Sequence, residues 1–267
     1  MFKSAQCLRQ HNKMRYFIEL SYDGAAYCGW QRQREDPSVQ QTLEQALTTL
    51  LRTAIEVVGC GRTDTGVNAS YYVAHFDYDK ALDCKQLVYK LNLVLPHDIA
   101  VSAVRRTQDN AHARFDARER EYTYFISQHK NPFRRYSAWQ YYVPLDVEKM
   151  NKAAEVLLRY DDFTSFAKLN SNNKTNICHI KDACWQRSAE NEALLIFKIR
   201  ADRFLRNMVR AIVGTLVDVG RGRLTVEDFE HIVAARDLSL SSAGAPSQGL
   251  FLSDVKYDKD VYYVENQ

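Results

Sequence analysis

No uninterrupted apolar run in this sequence approaches the ~20 residues that a membrane-spanning helix needs, and the N-terminus carries no apolar core of the signal-peptide kind. These absences argue against a helical membrane protein and lead us to expect a cytoplasmic location. Dense cysteine spacing is missing as well. Cys7, Cys28, Cys60, Cys84, Cys178 and Cys184 are scattered along 267 residues, which argues against a disulfide scaffold and predicts reduced thiols. The nearest thing to a metal motif is Cys178-His179 with Cys184, but paired CxxC or HxxxH spacing is lacking, so these residues are expected to be structural. A phosphate cradle is missing too, because Gly59-x-Gly61 has no third glycine at the right spacing and no Gly-Lys-Ser/Thr follows.

The chain is long enough for one large domain or two of ordinary size, and a hydrophobic fraction of 46% with 26% charged residues is usual for a folded protein. The net charge of +3 is modest, but its distribution is uneven. Residues 105–135 carry eight Lys or Arg against four acids, 198–223 carry seven against two, and 227–267 carry three against eight. Phe115, Tyr122, Tyr124, Phe133, Tyr136 and Trp139 lie in or beside the first basic tract. Cations among aromatics can neutralise phosphates and stack bases, although a solvated basic face would have the same composition.

Gly59-Cys60-Gly61-Arg62-Thr63-Asp64-Thr65-Gly66-Val67-Asn68 is the stretch that points to chemistry. Three glycines let a loop turn sharply and present its side chains, and here those are one guanidinium and, two residues on, one carboxylate. A carboxylate beside an arginine is expected to be ionised at neutral pH, because opposite charge favours the charged form. Asp64 is therefore suited to nucleophile or base work. A plain tight turn with a capping Asp fits the same pattern. Asp64-Thr65-Gly66 also matches the aspartic-protease tripeptide, but that fold is nearly all β and this chain has strong helical periodicity. Cys60 has no histidine nearby in sequence to activate it and reads as a small buried side chain.

A polar extension (1–13) is followed by a strand at 15–22. A helix comes next, with Ser38 and Gln41 resembling a capping box and Val39, Leu43, Ala46, Leu47, Leu50 and Leu51 at helical spacing. Strands are expected at 55–58 and 72–78, then a helix capped by Asp83, then a strand at 99–104. In the second part, a strand at 122–127 precedes a helix opened by Asp146, strands at 177–185 and 194–200 around a turn at Glu190 and Asn191, and a helix running through Leu205 to Gly220 as its cap. A short helix opened by Thr225 and a strand at 250–257 close the set. The predicted fold is α+β: two tandem β-α-β-β-α-β halves (14–110 and 111–267) of mainly antiparallel sheet, without a sequence repeat, around a central cleft holding the Asp64 loop.

Gly61-Arg62-Thr63-Asp64-Thr65-Gly66-Val67, Ala74-His75-Phe76, His112-Ala113-Arg114-Phe115 and Phe204-Leu205-Arg206-Asn207-Met208-Val209-Arg210 occur in one chain in this order. With Gly29-Trp30-Gln31 and Gly249-Leu250-Phe251-Leu252, they resemble the tRNA pseudouridine synthases of the TruA family over about residues 15–257. The resemblance implies a cofactor-free isomerisation of uridine to pseudouridine at positions 38, 39 and 40 of the tRNA anticodon arm, with Asp64 as the catalytic aspartate. It implies that Arg62 helps displace and hold the target nucleotide, that Tyr122 packs on the uracil, that Arg210 pairs with the Asp and that Leu250 lines the pocket. It also implies a homodimer. Where the family continues Gly-Val-His, this chain has Gly66-Val67-Asn68; the active site is expected to survive the change, while a phosphate contact, or a contact behind the site, made by that His is expected to weaken with a non-titrating Asn. The rival is a catalytically silent RNA-binding protein on the same scaffold, although plain RNA binding does not call for an acid in a basic cleft.

Overall fold

The computed structural model describes residues 13–168 and 174–263. Residues 1–12 of the expected N-terminal extension, Cys7 among them, lie outside the described residues. Strand β1 (Met14–Tyr22) is buried on both faces from Tyr16 to Leu20, as befits a strand flanked on both sides. Helix α1 (Val39–Leu51) begins where the Ser38 hydroxyl accepts the Gln41 N–H, and turns Val39, Leu43, Ala46 and Leu47 inward. Next come β2 (Val57–Gly59), β3 (Asn68–Tyr78), α2 (Cys84–Val94), capped by Asp83, and β4 (Ile99–Arg106).

The second part comprises β5 (Glu119–Ser127), the short β6 (Trp139–Gln140), α3 (Val147–Val156), capped by Asp146, β7 (Ile180–Arg187), β8 (Leu194–Ala201), α4 (Met208–Gly220), α5 (Val226–Ala235) and β9 (Leu250–Lys256). Helix α5 opens with a reciprocal capping box between Thr225 and Asp228. The α+β class expected from the pattern is the one observed.

Several boundaries shift for local reasons. The strand expected at 55–58 starts two residues later, because the Ile55 N–H is taken by the Thr48 hydroxyl. Strand β7 starts at Ile180 rather than 177, since Ile177 bridges Asp162 and the Cys178 N–H donates to Asp161. Helix α4 starts at Met208, after Asn207 at φ +65°, so Leu205 and Arg206 precede the helix. Gly220 is its last residue and not its cap; the left-handed glycine is Gly222.

In place of separate sheets, the described strands form one sheet in the order β4-β1-β3-β9-β5-β8-β7, with β2 on β3 and β6 on β5. Pairing is antiparallel except for β5–β6 and the central junction of β3 with β9. That junction is a parallel register of two pairs, Asn68 with Phe251 and Ala69 with Leu252. Two apolar cores flank the seam. Leu252 and Val255 of β9 enter the core built mainly from residues 16–117, and Val67 enters the core built mainly from 124–250. The Asp64 loop lies at this seam.

Candidate active site

The 60–68 loop connects β2 to β3 and is held by polar contacts from several directions. The Cys60 N–H donates to Val73 O (2.8 Å), the Trp30 N–H to Thr63 O (3.3 Å) and the Gly66 N–H to Tyr27 O (3.3 Å). The Tyr72 hydroxyl donates to Gly61 O (2.5 Å), and the Tyr22 hydroxyl shares a buried hydrogen bond with Thr63 Oγ1 (2.8 Å). Of the loop's three glycines, only Gly66 uses the left-handed region, at φ +72°. Gly59 is needed for packing, since a side chain there would strike the Tyr72 hydroxyl and the Trp30 ring, whereas Gly61 faces open space. Gly29, outside the loop, combines φ +87° with a backbone that lies directly against Thr63 O. Cys60 is buried in the core, and that burial pushes its thiol up to about 11, so it stays protonated and inert at neutral pH.

Asp64 is presented at the surface end of this frame. Its Oδ1 accepts from Arg206 Nε at 3.0 Å, with the Arg206 side chain 56% exposed and that of Asp64 22%. Arg206 is delivered by the 202–207 segment, which enters α4 through the left-handed Asn207. Phe204 of the same segment meets the Tyr122 ring edge-on, with centroids 5.2 Å apart. Burial raises the Tyr122 phenol well above its usual range, helped by Cys60 and by the charge of Asp64, so it remains a neutral, largely apolar surface near the carboxylate. Arg120 staples the two sides, its guanidinium donating to Cys60 O (3.2 Å) and to Asp202 O (2.8 Å).

Two further segments present exposed aromatic and basic side chains. The 111–118 segment is held by Arg15, which pairs with Asp77 through two contacts of 2.7 and 2.8 Å and donates to Ala111 O, and by His75, whose Nδ1 accepts the Ala113 N–H. This leaves Phe115 exposed. In the 128–143 connection Phe133 is 92% exposed, Arg134 lies over the Phe125 ring and Arg135 over the Tyr136 ring. Among the described residues, no group of three or more His, Cys, Asp or Glu side chains is placed to hold a metal ion.

A family model described as tRNA pseudouridine synthase matches residues 153–258. The tRNA pseudouridine synthase A of Bacteroides thetaiotaomicron is 51% identical over 253 residues, covering 95% of this chain and 94% of the relative. That of Bacteroides fragilis is 51% identical over 249 residues, covering 93% and 98%. The chain belongs to the tRNA pseudouridine synthase family. A solved 3-hydroxy-3-methylglutaryl-coenzyme A reductase of Streptococcus pneumoniae aligns with a TM-score of only 0.17 at 10% identity, which carries no argument.

In this synthase chain Asp64 and Tyr122 come together at the seam, and Arg62, two residues before Asp64 in the loop, is exposed. The pairing expected of Arg210 is corrected. Its Nε donates to Ala245 O at 2.6 Å, and the ion-pair partner of Asp64 is Arg206. Helix α4 begins at Met208, so Arg206 lies before the helix and Arg210 within it, and the ion pair to the loop is made by Arg206. Leu250 is 5% exposed and packs in the core built mainly from 124–250. Asn68 is not an exposed phosphate ligand either. Its side chain is buried, accepting from Gly24 N–H (2.8 Å) and donating to Gln248 O (3.0 Å). Arg206 and Phe204 were visible within the Phe204–Arg210 motif, but no periodicity marks which of its residues leave the helix.

Proposed function

We propose that this chain converts uridine to pseudouridine in the tRNA anticodon arm, at positions 38, 39 and 40, with Asp64 as the reacting carboxylate. The substrate and product have the same atoms. The N1–C1′ glycosidic bond breaks, the uracil turns, C5 bonds to C1′, and the C5 proton is removed while N1 gains one. Nothing has to be oxidised or reduced, so the balance calls for no co-reactant. One carboxylate can serve this sequence either as a covalent nucleophile or as a base.

The observation that carries the reading is the placement of a single acid on a rigid loop, facing Arg206 and beside Tyr122. A target base must first leave its stack, at a cost of a few kcal/mol. Arg62, exposed and long, is suited to hold the displaced nucleotide, and the neutral face of Tyr122 is suited to pack on the uracil. The Arg206 pair is at the surface, where such contacts are worth about 0–1 kcal/mol, so an incoming phosphate can take the guanidinium at small cost. Arg210, whose Nε donates to Ala245 O and whose carbonyl accepts the Ala245 N–H, ties α4 to the stretch that precedes β9. The basic tracts supply affinity for the RNA backbone, a homodimer is the expected assembly, and the cytoplasm the expected location. Among the described residues, no helix is long and apolar enough to cross a membrane.

The test is pseudouridine mapping on unmodified tRNA incubated with the wild-type protein and with Asp64→Ala, without added cofactor. New pseudouridine in the anticodon arm that disappears with Asp64→Ala supports the reading. Tight tRNA binding without product in the wild type overturns it in favour of an RNA-binding protein.

A further inference from the structure

Asn68 is the first residue of β3, and its side chain is 2% exposed at the place where the two parts of the sheet join. Its amide makes one bond in each direction. Oδ1 accepts the Gly24 N–H at 2.8 Å, and Nδ2 donates to Gln248 O at 3.0 Å. Both partners are backbone groups of fixed polarity, so the amide has one orientation: a flip would oppose donor to donor and acceptor to acceptor. The three anchored pieces are distinct. Gly24 opens the 24–30 segment, whose Tyr27, Gly29 and Trp30 hold Gly66 and Thr63. Gln248 belongs to the Ser247–Gly249 turn that leads into Leu250. Asn68 itself lies four residues after Asp64 and pairs in the sheet with Phe251.

The strand junction at this point has only two paired positions, so the backbone alone fixes it weakly. Gly66 adds a close approach from the same side, its α-carbon facing the Ser247 hydroxyl. We infer that Asn68 is a positioning residue for the isomerisation: its side-chain amide sets the spacing between the Asp64 loop and the turn that leads into Leu250. This rests on the assignment of Asp64 as the reacting group. Asn carries no titratable proton, so the link holds at any pH at which the fold does.

Removing it leaves the buried Gly24 N–H and the part-buried Gln248 carbonyl without this link, and the loop free to move against the turn. A displacement of about 1 Å at a reacting group can cost about 100-fold in rate. The experiment measures kcat and KM on unmodified tRNA for the wild type, Asn68→Ala, Asn68→Asp, Leu250→Val, Asn68→Ala with Leu250→Val, and Asp64→Asn, with thermal melts of each. Asn68→Ala is expected to lower kcat roughly 10- to 100-fold with KM within about twofold. Asn68→Asp, which keeps the Gly24 bond but sets oxygen against the Gln248 carbonyl, is expected to fall between Asn68→Ala and the wild type. The Asn68→Ala loss is expected to shrink in the Leu250→Val background, because the link acts through that turn.

A kcat for Asn68→Ala within about twofold of wild type, while Asp64→Asn is inactive, overturns the role of Asn68 and leaves that of Asp64 standing. An equal kcat loss in both Leu250 backgrounds also overturns it, since the effect is then general weakening of the fold. If Asn68→Ala does not fold, Asn68→Asp decides by the same limits. Activity retained in Asp64→Asn removes the underlying reading whatever Asn68 does.

Discussion

The 60–68 loop and the 202–210 segment meet at one ion pair but are secured differently. The loop is tied by Tyr22, Tyr27, Trp30 and Tyr72 and by its own last residue Asn68, all of them buried. The Arg206 side chain is more than half exposed, and Asp64 is its ion-pair partner. A reacting group has to stand still relative to the sugar it acts on, since misplacement costs rate directly. A cation that covers the acid before substrate arrives must instead be able to leave. The rigid partner is the acid, and the exchangeable one is the arginine.

Breaking the rigid side at the carboxylate we propose as the reacting group is expected to give the largest effect: Asp64→Asn should lower kcat at least about 1000-fold while tRNA binding, read by filter retention, stays within a few-fold. Breaking its frame comes next. Gly29→Ala forces a left-handed alanine against Thr63 O and is expected to cost roughly 2–3 kcal/mol in urea unfolding. The exchangeable side is tested by Arg206→Gln, expected to lower kcat/KM about tenfold, with stability changed by less than about 1 kcal/mol. An Arg206→Gln protein that unfolds as readily as Gly29→Ala would erase the distinction between the two regions.

A smaller effect lies behind the loop on β3. Burial, then Arg15 and His112, push His75 down to about 4 from its ordinary 6.5, with Asp77 and Asp116 opposing. Below pH 6.5 the unfolded chain takes up this proton before the folded one does. The contribution of this group to stability is therefore full above that value and falls as the pH drops towards 4. His75→Gln, which can still accept the Ala113 N–H, is expected to flatten that part of the stability–pH curve.

Much of the chain was legible without coordinates. Ser38, Asp83, Asp146 and Thr225 mark helix starts because a side-chain oxygen must meet an N–H that the helix leaves unpaired, and each does so here. The α+β class followed from alternation and helical spacing. That Arg206 pairs with Asp64 was hidden for a reason of the same local kind: the apolar spacing runs unbroken from Leu205, and nothing in it shows that Asn207 takes a left-handed conformation and delays the helix. Which contact Asn68 makes was not legible, because the partners of its buried amide lie 44 and 180 residues away.

The sequence by itself determined the helix caps, the basic and aromatic tracts, and a glycine-framed loop presenting one arginine and one acid, because these depend on neighbours within a few residues. Only the tertiary structure decided that the strands join in one sheet through β9, that Arg206 is the arginine facing Asp64, and that Asn68 is an internal link. Each of these is a contact between segments distant in the chain, set by how the two cores pack across the seam, and a pattern of near neighbours carries no record of it.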